Sequence, residues 1–142
     1  MKIVRTGSAG WEGGVKDGKG TISTESGALS DYPYGFASRF EGQPGSNPEE
    51  LIGAAHAACF QMALTLGLQQ AGLRADRLDT SAKVTLEQVE GGYAITASHL
   101  TLKAQIPGAD QATFEAVTAA AKAGCPVSKL LKADVSLDAE LI

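Results

Sequence analysis

The sequence predicts an α+β fold, in which antiparallel sheets surround central alanine-rich helices. Three features predict it: glycine-rich short segments before residue 45, a long apolar helix after Asn47, and two alternating stretches between Thr80 and Ile106. A chain of 142 residues with 44% hydrophobic content is long enough to bury its own core. We therefore expect residues 1–142 to form a single domain.

The first 45 residues read as short strands and turns. The stretch "GGVKDGKGTISTES" has glycine clusters on both sides of a weak alternation, which is typical of a hairpin. The stretch "DYPYGFASRFEGQPG" carries two prolines and three glycines. It predicts a loop around a short strand near Phe36 to Phe40.

A long helix follows this region. Asn47 can cap it, Pro48 suits its first turn, and Glu50 stands three residues after the cap, as in a capping box. Gly72 supplies a C-terminal cap. Apolar residues recur at helical spacing between the caps and predict the buried face: Ile52, Ala55, Cys59, Met62 and Leu66.

The C-terminal half predicts a hairpin, two helices and a strand. Alternation runs through Thr80 to Glu90, and "EGGY" makes a turn. The return strand alternates through Leu100, Leu102, Ala104 and Ile106. A helix over about Asp110 to Ala123 ends at Gly124, a short helix begins near Pro126, and "DVSLDAEL" closes the chain as a strand.

Charge and composition narrow the classes of partner that this chain is expected to bind. Sixteen acidic against twelve basic residues give a net charge of −4 without a basic cluster, which argues against nucleic acid or an anionic membrane. The charge-free stretch from Leu51 to Leu73 could reach across a bilayer, but its histidine, glutamines and many alanines favour a buried helix. The N-terminus has no apolar signal region, so we expect a cytoplasmic protein with reduced thiols.

The two cysteines, Cys59 and Cys125, are too few for a disulfide framework. A lone cysteine on an apolar helix face, such as Cys59, is commonly a small hydrophobic residue. Cys125 comes just before a proline that opens a helix, where free N–H groups stabilise a thiolate, although a plain helix start reads the same way. For each of the two cysteines, a purely structural role therefore stays open beside a catalytic one.

A reactive Cys59 needs a nearby cation. Its thiol would have a pKa of about 8.5, raised further by burial, and lowering it by two units takes roughly 2.7 kcal/mol. A guanidinium about 4 Å away offers about 4 kcal/mol at an effective dielectric near 20, before desolvation. Of the four arginines, Arg39 lies between Phe36 and Phe40 in the segment before the helix, so it is the best candidate.

A guanidinium held against apolar surface needs a carboxylate to orient it. Two glutamates compete for that role at the start of the helix. At 100° per residue, Glu49 lies about 80° around the helix from Cys59, whereas Glu50 lies about 180° away. Because Glu50 also has a capping role, Glu49 is the preferred partner of Arg39.

The stretches "SRFEGQPGSNPEELIGAAHAACF" and "GCPVSK" resemble the family of osmotically inducible protein C and organic hydroperoxide resistance proteins. The resemblance covers most of the chain and is closer to the OsmC branch. It implies an OsmC-like fold in which two chains form an intertwined homodimer, with active sites at the interface. The small residues Gly53, Ala54, Ala57 and Ala58 would permit the close approach of the two chains.

The same resemblance implies a cysteine-based peroxidase that reduces organic hydroperoxides to alcohols. Carried over by position, Cys59 is the peroxidatic cysteine, Cys125 the resolving one, Arg39 the activating arginine and Glu49 its partner. Their chemistry needs no flavin, haem or metal cofactor. The resemblance suggests that an intramolecular disulfide forms and is reduced again by a dithiol reductant of the lipoyl-linked kind. An apolar surround is expected from Phe36, Phe40, Phe60 and Met62.

Three alternatives stand beside this interpretation. His56 is three residues before Cys59, so a Cys–His hydrolase or transferase is conceivable, although a packed or interface histidine is the better reading of His56. The residue types of His56, Cys59, His99 and Cys125 suit a structural zinc site, but their spacing matches no compact zinc pattern. A non-catalytic ligand-binding or dimerisation module would carry both thiols as incidental residues.

Overall fold

The computed structural model describes residues 1–142 and divides them into two compact units, Met1–Leu51 and Ile52–Ile142. The first unit holds a small sheet and a short helix, and the second holds another sheet and two helices. A long helix begins in the first unit and continues into the second. The combination of small sheets and helices confirms the predicted α+β class.

The first unit is built on a three-stranded antiparallel sheet. Its strands β1 (Gly7–Glu12), β2 (Lys19–Thr24) and β3 (Tyr32–Tyr34) pair in the order β1-β2-β3. The turn between β1 and β2 uses Gly13, whose φ of 91° favours glycine. The predicted glycine-rich hairpin is therefore present.

The residues from Phe36 to Phe40 form a short helix, α1 (Phe36–Phe40), and the prediction of a strand there was wrong. The Ser38 hydroxyl explains the helix start, because it accepts the Gly35 backbone N–H at 2.9 Å. It also donates to the Ser46 carbonyl oxygen at 2.8 Å, which fastens the helix to the end of the following loop. The sequence pattern of a short apolar run fits a strand and a helix equally well, and side-chain hydrogen bonds such as these decide between them.

The long helix α2 (Pro48–Gln70) begins and ends as predicted. The Asn47 Oδ1 atom accepts the Glu50 backbone N–H at 2.8 Å, which is an N-terminal cap. At the other end Gly72 has a φ of 73°, and the Leu73 N–H bonds the Leu68 carbonyl oxygen at 2.8 Å. This pattern is a Schellman cap.

The buried face of α2 differs from the predicted one. The residues buried in the structure are Gly53, His56, Phe60, Leu64 and Leu68. Ala55, Met62 and Leu66 are exposed instead, with Met62 at 77% and Leu66 at 57% of full exposure. The helix is apolar nearly all round, so spacing alone could not decide which face packs. By length and composition α2 could cross a bilayer, but its buried face is that of a core helix.

A long hairpin forms most of the second sheet. Its strands β4 (Arg77–Val89) and β5 (Gly92–Gln105) are antiparallel and are joined at Glu90 and Gly91. Gly91 and Gly92 have φ values of 90° and 139°, which the turn requires. The predicted core positions of the return strand are all buried: Leu100, Leu102, Ala104 and Ile106.

Two helices and one strand complete the second unit. The helices α3 (Gln111–Gly124) and α4 (Pro126–Leu130) match their predicted positions, as does the strand β6 (Asp134–Leu141). However, β6 runs parallel to β5, which departs from the expected antiparallel pairing. The reason is that α3 and α4 form the crossover between them, and such a connection returns the chain in the same direction.

The core of the second unit lies among α2, α3 and the inner face of the β4–β6 sheet. Its fully buried members come from these elements and from the start of α4: Phe60, Leu64, Leu68, Leu100, Leu102, Ala104, Phe114 and Cys125. Cys59 packs against this cluster while remaining partly exposed. One of the two thiols is thus closed off from solvent and the other is not.

Candidate active site

The two thiols interact with each other in the second unit. Both cysteines are free; Cys59 is partly buried and Cys125 is buried. Burial raises the pKa of Cys59, a hydrogen bond from the Val127 backbone lowers it, and a hydrogen bond and charge interaction with Cys125 raise it. The net direction is upward. Cys59 therefore needs a further cation to become a thiolate at neutral pH.

Cys125 is the N-cap residue of α4, as the sequence predicted. Its Sγ atom accepts the Ser128 backbone N–H at 3.3 Å. The Ser128 hydroxyl lies 3.2 Å from the same sulfur. Pro126 occupies the first position of α4, where a missing N–H costs nothing. The sulfur of Cys125 is thus held by two groups of one serine.

His56 connects this serine to the sheet. Its side chain is fully buried, its Nδ1 lies 2.7 Å from Ser98 Oγ, and its Nε2 lies 2.8 Å from Ser128 Oγ. Burial lowers the pKa of His56, so the ring is neutral at pH 7. Because both nitrogens are occupied by serines, His56 is not arranged as a base for Cys59. This geometry does not favour the Cys–His hydrolase.

Sequence reasoning did not find Ser98 and Ser128. They lie 42 and 72 residues from His56 along the chain. Ser98 is one of several polar residues in β5, and Ser128 is one residue in a short helix. Nothing in their local sequence marks them. A buried histidine on α2 was the one available signal that polar partners must exist.

Arg39 and Glu49 meet in the first unit. The Arg39 Nη2 atom donates to Glu49 Oε1 at 2.7 Å, and Nε lies 3.3 Å from both carboxylate oxygens. The Arg39 guanidinium also lies 5.4 Å from the centre of the Phe40 ring. The side chain of Glu49 is 12% exposed, whereas that of Arg39 is 34% exposed. The pair is therefore partly shielded from water, and the guanidinium keeps one open side.

An aromatic cleft of about 260 Å³ opens beside Arg39. It is lined by apolar side chains of the first unit: Trp11, Val15, Tyr34, Phe36 and Phe40. The rings of Phe36 and Phe40 are 4.9 Å apart. Phe60, also expected around the site, is instead a core residue, and Met62 is exposed. A larger cleft of about 580 Å³ around Leu68 and Leu73 contains neither a cysteine nor Arg39.

The four residues considered for zinc do not form a metal site. His99 lies on the outer face of the sheet, where it bonds Ser136 and Asp138. Both ring nitrogens of His56 are hydrogen-bonded to serines. No group of three or more histidine, cysteine or acidic side chains is arranged to hold a metal ion. The structural zinc interpretation is therefore not supported.

The comparisons with known proteins agree on one family. The model of the family described as OsmC-like protein matches residues 40–140. "Peroxiredoxin OsmC" of Escherichia coli strain K12 is 55% identical over 141 residues, which is 99% of both chains. The crystal structure of the organic hydroperoxide resistance protein OhrB of Bacillus subtilis superimposes with a TM-score of 0.68 at 29% identity, over 96% of this chain and 98% of that one. An OsmC-like protein from Mycoplasma pneumoniae reaches a TM-score of 0.75 at 14% identity, over 100% and 99%, and supports the fold alone.

Proposed function

This chain belongs to the OsmC-like protein family, and from that premise we propose that it is a thiol-dependent peroxidase acting on organic hydroperoxides. Cys59 is the peroxidatic cysteine and Cys125 the resolving one. Residues 1–142 act as one OsmC-like domain in a cytoplasmic homodimer. The observation that carries the proposal is the interaction of two free thiols, Cys59 and Cys125, beside the first turn of α4.

The reaction begins with a thiolate at Cys59. Its sulfur attacks the outer oxygen of ROOH, the O–O bond breaks, and the departing alkoxide takes a proton to become an alcohol. The sulfur is oxidised by two electrons to a sulfenic acid. Cys125 then displaces the hydroxyl group of that sulfenic acid, which forms a disulfide and releases water. Two thiols are sufficient for these reaction steps, which use no flavin, haem or metal.

Arg39 lowers the pKa of Cys59 in this mechanism. Burial raises that pKa, so a compensating cation is required. A guanidinium about 4 Å from the sulfur supplies about 4 kcal/mol before desolvation, which exceeds the roughly 2.7 kcal/mol that a two-unit shift needs. Glu49 holds the guanidinium through the bond of 2.7 Å. The same guanidinium stabilises the charge that develops on the peroxide oxygens.

The cleft beside Arg39 supports an organic substrate. Its aromatic and aliphatic lining favours an alkyl or lipid hydroperoxide over hydrogen peroxide, because the organic group buries apolar surface. The lining also shields part of the guanidinium from water, which strengthens its electrostatic effect on that side.

A homodimer accounts for the exposed face of α2. Ala54, Ala58, Met62 and Leu66 are exposed on this helix and have no charge. Small residues allow a second chain to approach closely, and Met62 and Leu66 supply apolar surface to bury. The active site is completed between the two chains. A dithiol, lipoyl-linked in our proposal, reduces the disulfide and returns the enzyme to its starting state.

Turnover with defined variants tests this proposal. Wild-type protein should reduce cumene hydroperoxide with dihydrolipoamide as reductant. Cys59→Ser should abolish the reaction, because it removes the nucleophile, whereas Cys125→Ser should still consume one equivalent of peroxide before turnover stops. Full turnover by Cys59→Ser would contradict the assignment of Cys59.

A further inference from the structure

We propose that Ser128 and His56 form a proton relay that serves Cys125 during disulfide formation. The inference rests on the proposed peroxidase function and deepens it. Cys125 is the group that reacts, Ser128 contacts its sulfur, and His56 acts on it through Ser128. The relay assigns a role to the buried histidine that the sequence left without one.

The relay follows an unbroken line of short contacts. The Cys125 Sγ atom lies 3.2 Å from Ser128 Oγ, and Ser128 Oγ lies 2.8 Å from His56 Nε2. On the other side of the ring, Nδ1 lies 2.7 Å from Ser98 Oγ. We assign the Nδ1–H tautomer, in which Ser98 accepts from the ring, because it leaves Nε2 free to accept a proton from Ser128.

Burial explains why Cys125 needs such a relay. Its side chain is fully buried, so bulk water is not available to take its proton. A thiol attacks sulfur as the thiolate, so the proton of Cys125 must leave as the disulfide forms. The Ser128 N–H at 3.3 Å stabilises the charge on sulfur but accepts no proton. The hydroxyl of Ser128, with His56 behind it, provides an acceptor.

The position of His56 strengthens the argument. His56, Phe60, Leu64 and Leu68 occupy successive positions four residues apart on the buried face of α2. Burying a polar ring in an apolar row costs free energy unless its nitrogens are bonded. A leucine would fill this row without that cost. The ring instead ends a chain of polar atoms that begins at a reactive sulfur.

The proton movements balance within the step. As the Cys125 sulfur forms its bond to Cys59, its proton passes to Ser128 Oγ and the Ser128 proton passes to His56 Nε2. The S–O bond of the Cys59 sulfenic acid breaks, and the hydroxide leaves with the bonding electron pair. The protonated His56 then returns its proton to Ser128 Oγ, and Ser128 passes a proton on to the hydroxide, so the products are one disulfide and one water, and His56 ends neutral.

A single-turnover experiment separates the relay from the peroxide step. Reduced protein is mixed with cumene hydroperoxide, and sulfenic acid and disulfide are followed by rapid quenching and mass spectrometry. The first phase, sulfenic acid formation, depends on peroxide concentration, whereas the second phase, disulfide formation, does not. At one peroxide concentration, the ratio of the second rate to the first therefore reports on disulfide formation in each variant. The variants are Ser128→Ala, Ser128→Thr and His56→Gln.

In Ser128→Ala the second phase should slow about 100-fold relative to the first, as expected for the loss of general acid–base assistance, and sulfenic acid should accumulate. Ser128→Thr retains the hydroxyl and should recover most of the rate. The second phase of the wild type should slow in deuterium oxide, and Ser128→Ala should lose that sensitivity. His56→Gln keeps hydrogen bonds but accepts no proton, so it should resemble Ser128→Ala.

A matched control removes a serine–histidine bond that lies outside the relay. Ser136→Ala breaks the contact with His99 on the outer sheet face and should leave the ratio unchanged. If wild type and Ser128→Ala gave the same ratio, the relay would be refuted while the peroxidase proposal stood. If the wild type formed neither sulfenic acid nor disulfide, the peroxidase proposal would fail, and the relay with it.

Discussion

Arg39 and Glu49 form an ion pair that joins α1 to the first turn of α2. The guanidinium donates to the carboxylate at 2.7 Å, and the Ser38 hydroxyl fixes the intervening loop by donating to the Ser46 carbonyl oxygen at 2.8 Å. The guanidinium is therefore held in one orientation at the edge of the aromatic cleft. In the proposed mechanism this orientation positions the cation for Cys59.

Replacing Arg39 should slow peroxide reduction strongly. Arg39→Met keeps the apolar stem but removes the charge, and we expect a loss of about 10²- to 10³-fold in kcat/KM for cumene hydroperoxide. The pKa of Cys59 should rise, because the cation that favours the thiolate is absent. The pH dependence of iodoacetamide alkylation measures this shift. An unchanged rate and an unchanged alkylation profile would remove Arg39 from the mechanism.

The two neighbouring glutamates provide a matched comparison for the same pair. Glu49→Gln removes the carboxylate that holds Arg39 and should lower kcat/KM about tenfold or more, since a charge-assisted bond becomes a weaker neutral one. Glu50→Gln should affect mainly the stability of α2, because it removes a negative charge from the first turn of the helix. The bond of the Glu50 backbone N–H to the Asn47 cap is kept. Loss of turnover in Glu50→Gln with normal turnover in Glu49→Gln would contradict this assignment.

The sequence predicted elements best where local chemistry decided them. The caps at Asn47 and Gly72 and the N-terminal position of Cys125 in α4 depend on neighbouring residues, so they could be read directly. The segment Phe36–Phe40 was read as a strand because its helical start depends on the Ser38 hydroxyl. The parallel direction of β6 depends on how two helices cross the sheet, which is not a local property.

In the candidate site, too, local sequence predicted some features, and features that depend on distant parts of the chain were missed. The cysteines, Arg39 and Glu49 were predicted as site residues from residue type, position on the helix and family resemblance, and the predicted pairing of Arg39 with Glu49 is present. The partners of His56 could not be found, because β5 and α4 bring Ser98 and Ser128 to it from distant parts of the chain. The buried face of α2 was misassigned because Met62 and Leu66 are as apolar as Leu64 and Leu68. Apolar spacing does not distinguish a core from an interface.

Two glycines of α2 should respond in opposite directions to alanine. A Cβ atom at Gly53 would lie 2.9 Å from the Ala82 carbonyl oxygen, so the helix or strand must shift. At Gly67 it would lie 3.7 Å from the nearest atom, Val117 Cβ, which is an ordinary contact.

We expect Gly53→Ala to lower the free energy of unfolding by about 1 to 2 kcal/mol, because the strain of overpacking exceeds the gain in helix propensity. Gly67→Ala should raise it by up to about 1 kcal/mol. Urea unfolding followed by circular dichroism measures both. Equal effects of the two substitutions would contradict the close packing of α2 on β4.

The exposed face of α2 should determine the oligomeric state. Met62→Lys places a charge on the surface that the proposed homodimer buries, and a buried unpaired charge opposes association. Sedimentation equilibrium should show a dimer for the wild type and a monomer for Met62→Lys. Val89→Lys, at an exposed position at the end of β4, is the control and should remain dimeric. A dimeric Met62→Lys protein would place the interface elsewhere.

Stability should fall at acidic pH through two exposed carboxylates. The side-chain bond with Arg77 lowers the pKa of Asp79, and the Thr113 backbone N–H lowers that of Asp110. Their folded pKa values lie below the unfolded ones, so their stabilisation is complete above the unfolded value of about 3.9 and is lost as the pH falls through the folded values.

Urea unfolding between about pH 7 and pH 3 measures this dependence. Asp110→Asn keeps a capping oxygen but has no ionisable group, so its stability should decline less over the acidic range than that of the wild type. An identical decline for both proteins would show that Asp110 does not contribute to it.

The central claim is that Cys59 and Cys125 form one redox pair. The most direct test measures intact mass and free thiols before and after one equivalent of cumene hydroperoxide. Our account predicts that each chain loses both thiols and the mass of two hydrogen atoms, without linking to another chain, and that dihydrolipoamide restores both. If both thiols survived treatment with an unchanged mass, the peroxidase mechanism would be contradicted.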